Sequence, residues 1–241
     1  MSAAVQANHA KLGRRLFNTH LRWEMMPRDH AEARYVYMVR RGADACVSFY
    51  HHLTHQTVEE GGYDGSFDEF AADWTGGRAP FGSWTAHLAS WLCRDGPDAA
   101  APEADPRVLV LSYEELKADV RGCVCRINEH CGFGLDEGQL EALLPRFSFA
   151  WMREHEQMFH PRSVTWLEGR GNARGGGDAE GGAEGGEGEG AAFHFLRAGR
   201  VGDGDAAFTA AHREQLRVML ARTFPAGDTL IIITELLIII R

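Results

Sequence analysis

Apolar positions along the chain fall into short runs that give way to helical spacing. The runs RLFNTHL (15–21), RYVYMV (34–39) and RVLVLSY (107–113) each lead into polar or helically spaced sequence, as buried parallel strands feeding helices do. Ser66 and Glu69 in SFDEF form a capping-box pattern that predicts a helix start. Another helix is expected from about Ser83, where Trp84, Leu88, Trp91 and Leu92 fall on one face at core spacing. After the third run the pattern predicts a single helix from Glu114 to Cys131, and Leu140, Leu143 and Leu144 mark one more that starts near Asp136. Strands and helices therefore alternate, which places the chain in the α/β class.

Two stretches break the pattern. GNARGGGDAEGGAEGGEGEG (171–190) holds no large apolar residue, so burial cannot offset its ordering entropy. It is expected to be a disordered insertion within one domain, because amphipathic sequence resumes at Phe193. Its interleaved acids would repel an anion, and no Walker pattern occurs. The tail at 226–241 is apolar but short and carries Glu235; it reads either as a buried last strand or as sequence outside the fold, not as a membrane span.

Composition narrows the function. A length of 241 residues with 44% hydrophobic content suits one sizeable domain. A net charge of −9 argues against nucleic-acid binding, so any anion site must be local. Lys11 and Lys117 are the two lysines, which leaves arginine, the side chain suited to a bidentate grip on phosphate, as the available cation. Five irregularly spaced cysteines without a signal peptide point to a reducing compartment, the cytoplasm. His51 and His55, at i and i+4 with Glu59 a turn further on, and Cys123-x-Cys125 with Cys131, lack the spacing of known metal motifs. No metal is expected.

The stretch YVYMVRRGADACVSFYHHL (35–53) carries the chemistry. Arg40 stands where a strand ends and Ser48 lies in the early turns of the following helix, with Cys46, Tyr50 and Leu53 facing inward. Asp44 is expected to cap that helix. A guanidinium, a hydroxyl and the positive end of a helix dipole can then converge on one phosphate. From these residues alone an Arg40–Asp44 surface pair with a solvated Ser48 remains open.

The same stretch resembles the 3′-phosphate-binding segment R-N-P-K-D-x-x-x-S-Y-Y-H of the cytosolic-type sulfotransferases, with Arg40, Asp44, Ser48, Tyr50 and His51 matching and Gly42 at the proline-type position. RRLFNTHL is similar to the family's T-H-L strand and places His20 at the catalytic base. GSFDEF and FGSWTAHLASW are similar to G-x-F-x-E-F and Y-G-S-W-x-x-H. LVLSYEELKAD is similar to the strand ending in Y-E-[DE]-[ML]-K and puts Tyr113 by the adenine nucleotide. FSFAWMRE resembles S-F-x-x-M and supplies Ser148 and Phe149; FLRAGRVGD resembles F-x-R-K-G-x-x-G-D-W and supplies Arg197 and Gly199.

The resemblance implies a three-layer α/β sandwich with a mainly parallel sheet, the P-loop nucleotide-binding-like sulfotransferase fold. It also implies transfer of a sulfuryl group from 3′-phosphoadenosine 5′-phosphosulfate, as co-substrate, to a hydroxyl or amine of a small-molecule acceptor such as a phenol, alcohol, steroid or flavonoid, without nucleic acid or membrane. Departures go with it. The 5′-phosphosulfate loop P-K-S-G-T-[TN]-W and the strand before it have no counterpart in this sequence, Asn18 replaces the lysine beside the T-H-L histidine, and GDW has become GDG at 202–204. The dimer segment keeps only Thr209 and Glu214, with Asp205 at its lysine position, so a homodimer stays open without support from that patch. Residues 1–225 are therefore expected to form an incomplete sulfotransferase domain. Two functions stand side by side: a sulfotransferase with His20 as base, or a catalytically impaired remnant that binds nucleotide or a partner chain.

Overall fold

The computed structural model describes residues 13–93, 105–160, 164–167 and 193–224, together with residues 7, 10 and 11. The glycine-rich stretch at 171–190 and the tail at 226–241 lie outside the described residues. Strand β1 (Tyr35–Val39) leads through Arg40 and Arg41 into α1 (Gly42–Leu53), followed by α2 (Phe67–Thr75) and α3 (Trp84–Leu92). Strand β2 (Val108–Ser112) runs into α4 (Tyr113–Ala118), α5 (Val120–Cys131), α6 (Glu137–Leu143) and α7 (Phe149–Glu154). Helices α8 (Asp203–Ala207) and α9 (Ala210–Thr223) close the described chain.

The two strands pair in parallel, with Tyr35 opposite Val108 and Val39 opposite Ser112. Parallel strands need a crossover, which α1 to α3 provide. Tyr35, Tyr37 and Val39 share one face of β1 by the two-residue period. Val39 there joins Leu88 and Ala89 of α3 and Leu220 and Phe224 at the α9 end in one core cluster. Tyr35 packs with Trp91 of α3 and Trp23. Val36 and Met38, on the other face, remain 39% and 41% exposed, so β1 is half-buried where its apolar run predicted burial on both sides. A second cluster gathers Cys46 and Leu53 of α1, Phe70 and Trp74 of α2, and Phe208. Burying each such side chain is worth about 1.5–3 kcal/mol.

Helix starts follow local chemistry. Ser66 accepts from Glu69 N–H in a complete capping box, Ser83 caps α3, and Asp136 pairs reciprocally with Gln139 at α6. Two expectations fail. The run at 15–21 forms no strand; it lies on the surface without regular secondary structure, with Leu16 and Phe17 exposed, because among the described residues no neighbouring strand takes up its backbone groups. The expected single helix from Glu114 to Cys131 breaks at Asp119, whose φ of −143° and ψ of 79° leave the helical region and whose carboxylate accepts from Gly122 N–H at 2.8 Å to start α5. No helix among the described residues is long and apolar enough to cross a membrane.

Candidate functional site

The register of the two strands decides where the chemistry sits. Because Val39 pairs with Ser112, the next residues, Arg40 and Tyr113, emerge side by side at the carboxyl rim of the sheet, the usual ligand side of an α/β protein. The Arg40 guanidinium lies over the Tyr113 ring, 4.5 Å from its centroid. Its Nη2 donates to the Arg200 carbonyl at 3.3 Å, while its Nε is buried with no hydrogen-bond partner.

A cavity of about 200 Å³ opens beside this pair, and its wall brings together Arg40, Ser48, Tyr113, Phe149, Arg197 and Gly199. Those are six of the residues singled out in the sequence. Ser148 stands apart and caps α7, accepting from Trp151 N–H at 3.2 Å and donating to the Pro145 carbonyl. Glycine is required at 199: φ is +60°, and an added Cβ would lie 2.2 Å from Cδ2 of Phe149. The Phe149 ring therefore presses on the backbone that carries Arg197.

His20 lies outside this wall. Its side chain faces Phe81, with ring centroids 6.0 Å apart. The His20 backbone is held: Nε2 of His87 lies 3.2 Å from the His20 carbonyl, and Nδ1 of His87 lies 3.1 Å from the Tyr37 hydroxyl. A carbonyl can only accept, so Nε2 carries the proton and Nδ1 accepts from Tyr37. Burial holds His87 below the usual imidazole range, which favours this neutral tautomer.

Asp44 does not cap α1, nor does it pair with Arg40. Arg41 is the N-cap residue and has no side-chain cap; its backbone N–H donates instead to Glu114 at 3.1 Å. Asp44 is 1% exposed and accepts from Gly202 N–H at 2.9 Å and Gly204 N–H at 2.6 Å. Its charge thus closes the start of α8, which backbone N–H groups and the helix dipole favour. The glycine of GDG has a reason in this packing, since a Cβ on Gly204 would stand 2.5 Å from the Ala43 backbone. At Gly42 a Cβ would meet the Trp84 ring at 2.9 Å.

The wall also holds His51, which matched the family segment without being assigned a contact, and five residues that escaped the sequence reading: His52, Met152, His194, Arg200 and Asp203. His51 and His52 follow Ser48 by three and four positions, so they share its helix face, a signal that was there to use. Burial, reinforced by Arg197 and the neighbouring imidazoles, pushes His51 down to about 4. Burial, then His55, Arg197 and Arg40, does the same to His52. Asp203 receives Arg197 Nη2 and, at 2.5 Å, Arg200 Nε. Burial alone would raise its carboxyl, but the two arginines outweigh it and hold the group below the usual range. The wall therefore carries three guanidinium groups, of Arg40, Arg197 and Arg200, the last two sharing the Asp203 carboxylate on the same wall.

His55, weighed above as a metal ligand, turns Nδ1 to the His51 carbonyl at 2.6 Å and stacks on Phe193. Among the described residues no group of three His, Cys, Asp or Glu side chains is arranged to hold a metal ion.

Comparison with known proteins agrees with this architecture. The family model described as "Sulfotransferase domain" matches residues 1–179. Human sulfotransferase 1E1 is 31% identical over 143 residues, 58% of this chain and 45% of its own length. Mouse sulfotransferase 1B1 is 25% identical over 224 residues, 92% of this chain and 64% of its own. The chain thus spans about half to two thirds of the length of these relatives. Among solved structures, a mouse sulfotransferase crystallised with PAP superposes with a TM-score of 0.67 at 21% identity, covering 92% of this chain and 70% of that one; at that identity the likeness speaks for the fold. With the family model spanning well over half of its residues, this chain belongs to the sulfotransferase domain family.

Proposed function

We propose that the cavity binds the 3′-phosphate side of 3′-phosphoadenosine 5′-phosphosulfate, and that the domain, taken as residues 1–225, serves sulfuryl transfer to a hydroxyl or amine of a small-molecule acceptor. One observation carries the reading: Arg40, Ser48 and Arg197 line a single cavity at the carboxyl rim of the parallel strands, with Tyr113 and Phe149 beside them as aromatic surfaces for a base. Arginines and a hydroxyl suit a phosphate dianion.

In this reading the acceptor oxygen or nitrogen attacks sulfur in line, the bond from sulfur to the 5′-phosphate oxygen breaks, and adenosine 3′,5′-bisphosphate leaves. His20 takes the acceptor's proton. Support for that role comes from the T-H-L signature and from the imidazole's exposed setting next to Phe81, itself 75% exposed. Five free thiols fit a cytoplasmic setting.

A second reading is binding without turnover. It is favoured by the absence of both lysines, Lys11 and Lys117, from the cavity wall, because a leaving phosphate gains several kcal/mol from fixed cations. Titration calorimetry with adenosine 3′,5′-bisphosphate tests the shared claim. Arg40→Ala is expected to weaken binding by about 1.5–3 kcal/mol, roughly ten- to a hundredfold; unchanged affinity would sink it. Product formation from the sulfuryl donor with phenol, steroid and amine acceptors then separates enzyme from binder.

A further inference from the structure

Arg197 reaches the cavity on a segment that has no regular secondary structure of its own, residues 193–200. Such a segment needs outside partners to hold one geometry, and two residues beyond the cavity wall supply them. Glu156, just after α7, accepts from Leu196 N–H at 2.6 Å through one carboxylate oxygen and from His194 Nδ1 at 2.8 Å through the other. Arg153, three residues earlier, donates Nη1 to the Leu196 carbonyl and, at 3.2 Å, to the Arg197 carbonyl. Both backbone groups of Leu196 are thus taken, one by each member of a pair that is itself linked, with Arg153 Nε 3.8 Å from Glu156. Burial would raise the Glu156 carboxyl, yet His194, Leu196 N–H and Arg153 together draw it below the usual range, so these contacts engage its charged form.

We propose that Glu156 and Arg153 are positioning residues: a two-residue clamp that fixes the 194–197 backbone, and so aims Arg197 at the 3′-phosphate, making the site selective for 3′-phosphorylated nucleotides. The inference rests on the nucleotide reading above and deepens it. Neither residue lines the cavity, so the effect on ligand runs entirely through the segment. Preorganisation of this kind raises affinity by lowering the ordering cost of binding.

The test compares two ligands on the full chain by calorimetry: adenosine 3′,5′-bisphosphate and adenosine 5′-phosphate, which lacks the 3′ group. Glu156→Ala is expected to lose about tenfold in affinity for the bisphosphate, the size of one charged hydrogen bond, and to hold the monophosphate within about twofold. Glu156→Gln, whose amide oxygen can still accept from Leu196 N–H, is expected to recover part of the loss. It also stands in should the alanine variant not fold. A wild-type chain that fails to prefer the bisphosphate overturns the nucleotide reading itself. A wild-type chain that does prefer it, with variants that lose both ligands equally or neither, overturns the clamp alone.

Discussion

Gly199 shows how one missing side chain shapes the site. Its positive φ and the Phe149 ring atoms that would meet an added Cβ leave no room for a methyl group. Gly199→Ala is expected to push the ring aside and weaken adenosine 3′,5′-bisphosphate binding by about tenfold, with a stability loss of about 1–3 kcal/mol; fluorescence-detected melting and calorimetry read the two effects. His51 and His52 give a second expectation at this scale. Both titrate near 4 in the folded chain against 6.5 for a free imidazole, so as pH falls between those values the unfolded chain binds protons that the folded one refuses. Stability present above 6.5 is therefore lost as pH drops towards 4. Urea midpoints at about pH 7 and pH 5 should differ less in the His51→Gln, His52→Gln double variant than in the wild type, and an equal difference would contradict the assignment. The two histidines were legible as neighbours of Ser48 on one helix face. Their lowered pKa values were not, because they depend on residues far along the chain, such as Phe195 packed on His52 and the Arg197 charge near both.

At the scale of elements, what could be read from the sequence was what local chemistry decides. Ser66, Ser83 and Asp136 start their helices because a capping side chain and its N–H target lie within three residues. The break at Asp119 stayed hidden, since apolar spacing continues across it and only the backbone angles change. Asp44 misled for the opposite reason. It stands where a local cap would be, yet its two partners lie 158 and 160 positions away. That contact joins α1, which carries Ser48, to the start of α8, which carries Asp203. Asp44→Asn leaves one acceptor oxygen for two N–H donors and sets an amide NH2 against one of them. It is expected to cost about 1.5–3 kcal/mol in chemical denaturation, whereas a cost below about 0.5 kcal/mol would mean that the buried charge is dispensable.

Across the whole molecule, the α/β class and the placement of Arg40 and Tyr113 at one rim followed from apolar runs that really are parallel strands. The first run, 15–21, is less apolar, with Asn18, Thr19 and His20 inside it, and has no partner strand among the described residues, so it stays on the surface, where Trp91 Nε1 donates to the Leu21 carbonyl. Strand formation is a property of a pair, and a single run cannot report it. The candidate site was legible where motifs carry it, and less so where a carboxylate, Asp203, pairs with the cations.

Asp203 already gives Arg197 and Arg200 a counter-charge from within the protein. Two guanidinium groups that would otherwise repel each other are held on one carboxylate, in a chain of net charge −9. In the proposed reading, a guest that also lays a ring against Phe149 gains more from this wall than a bare anion does.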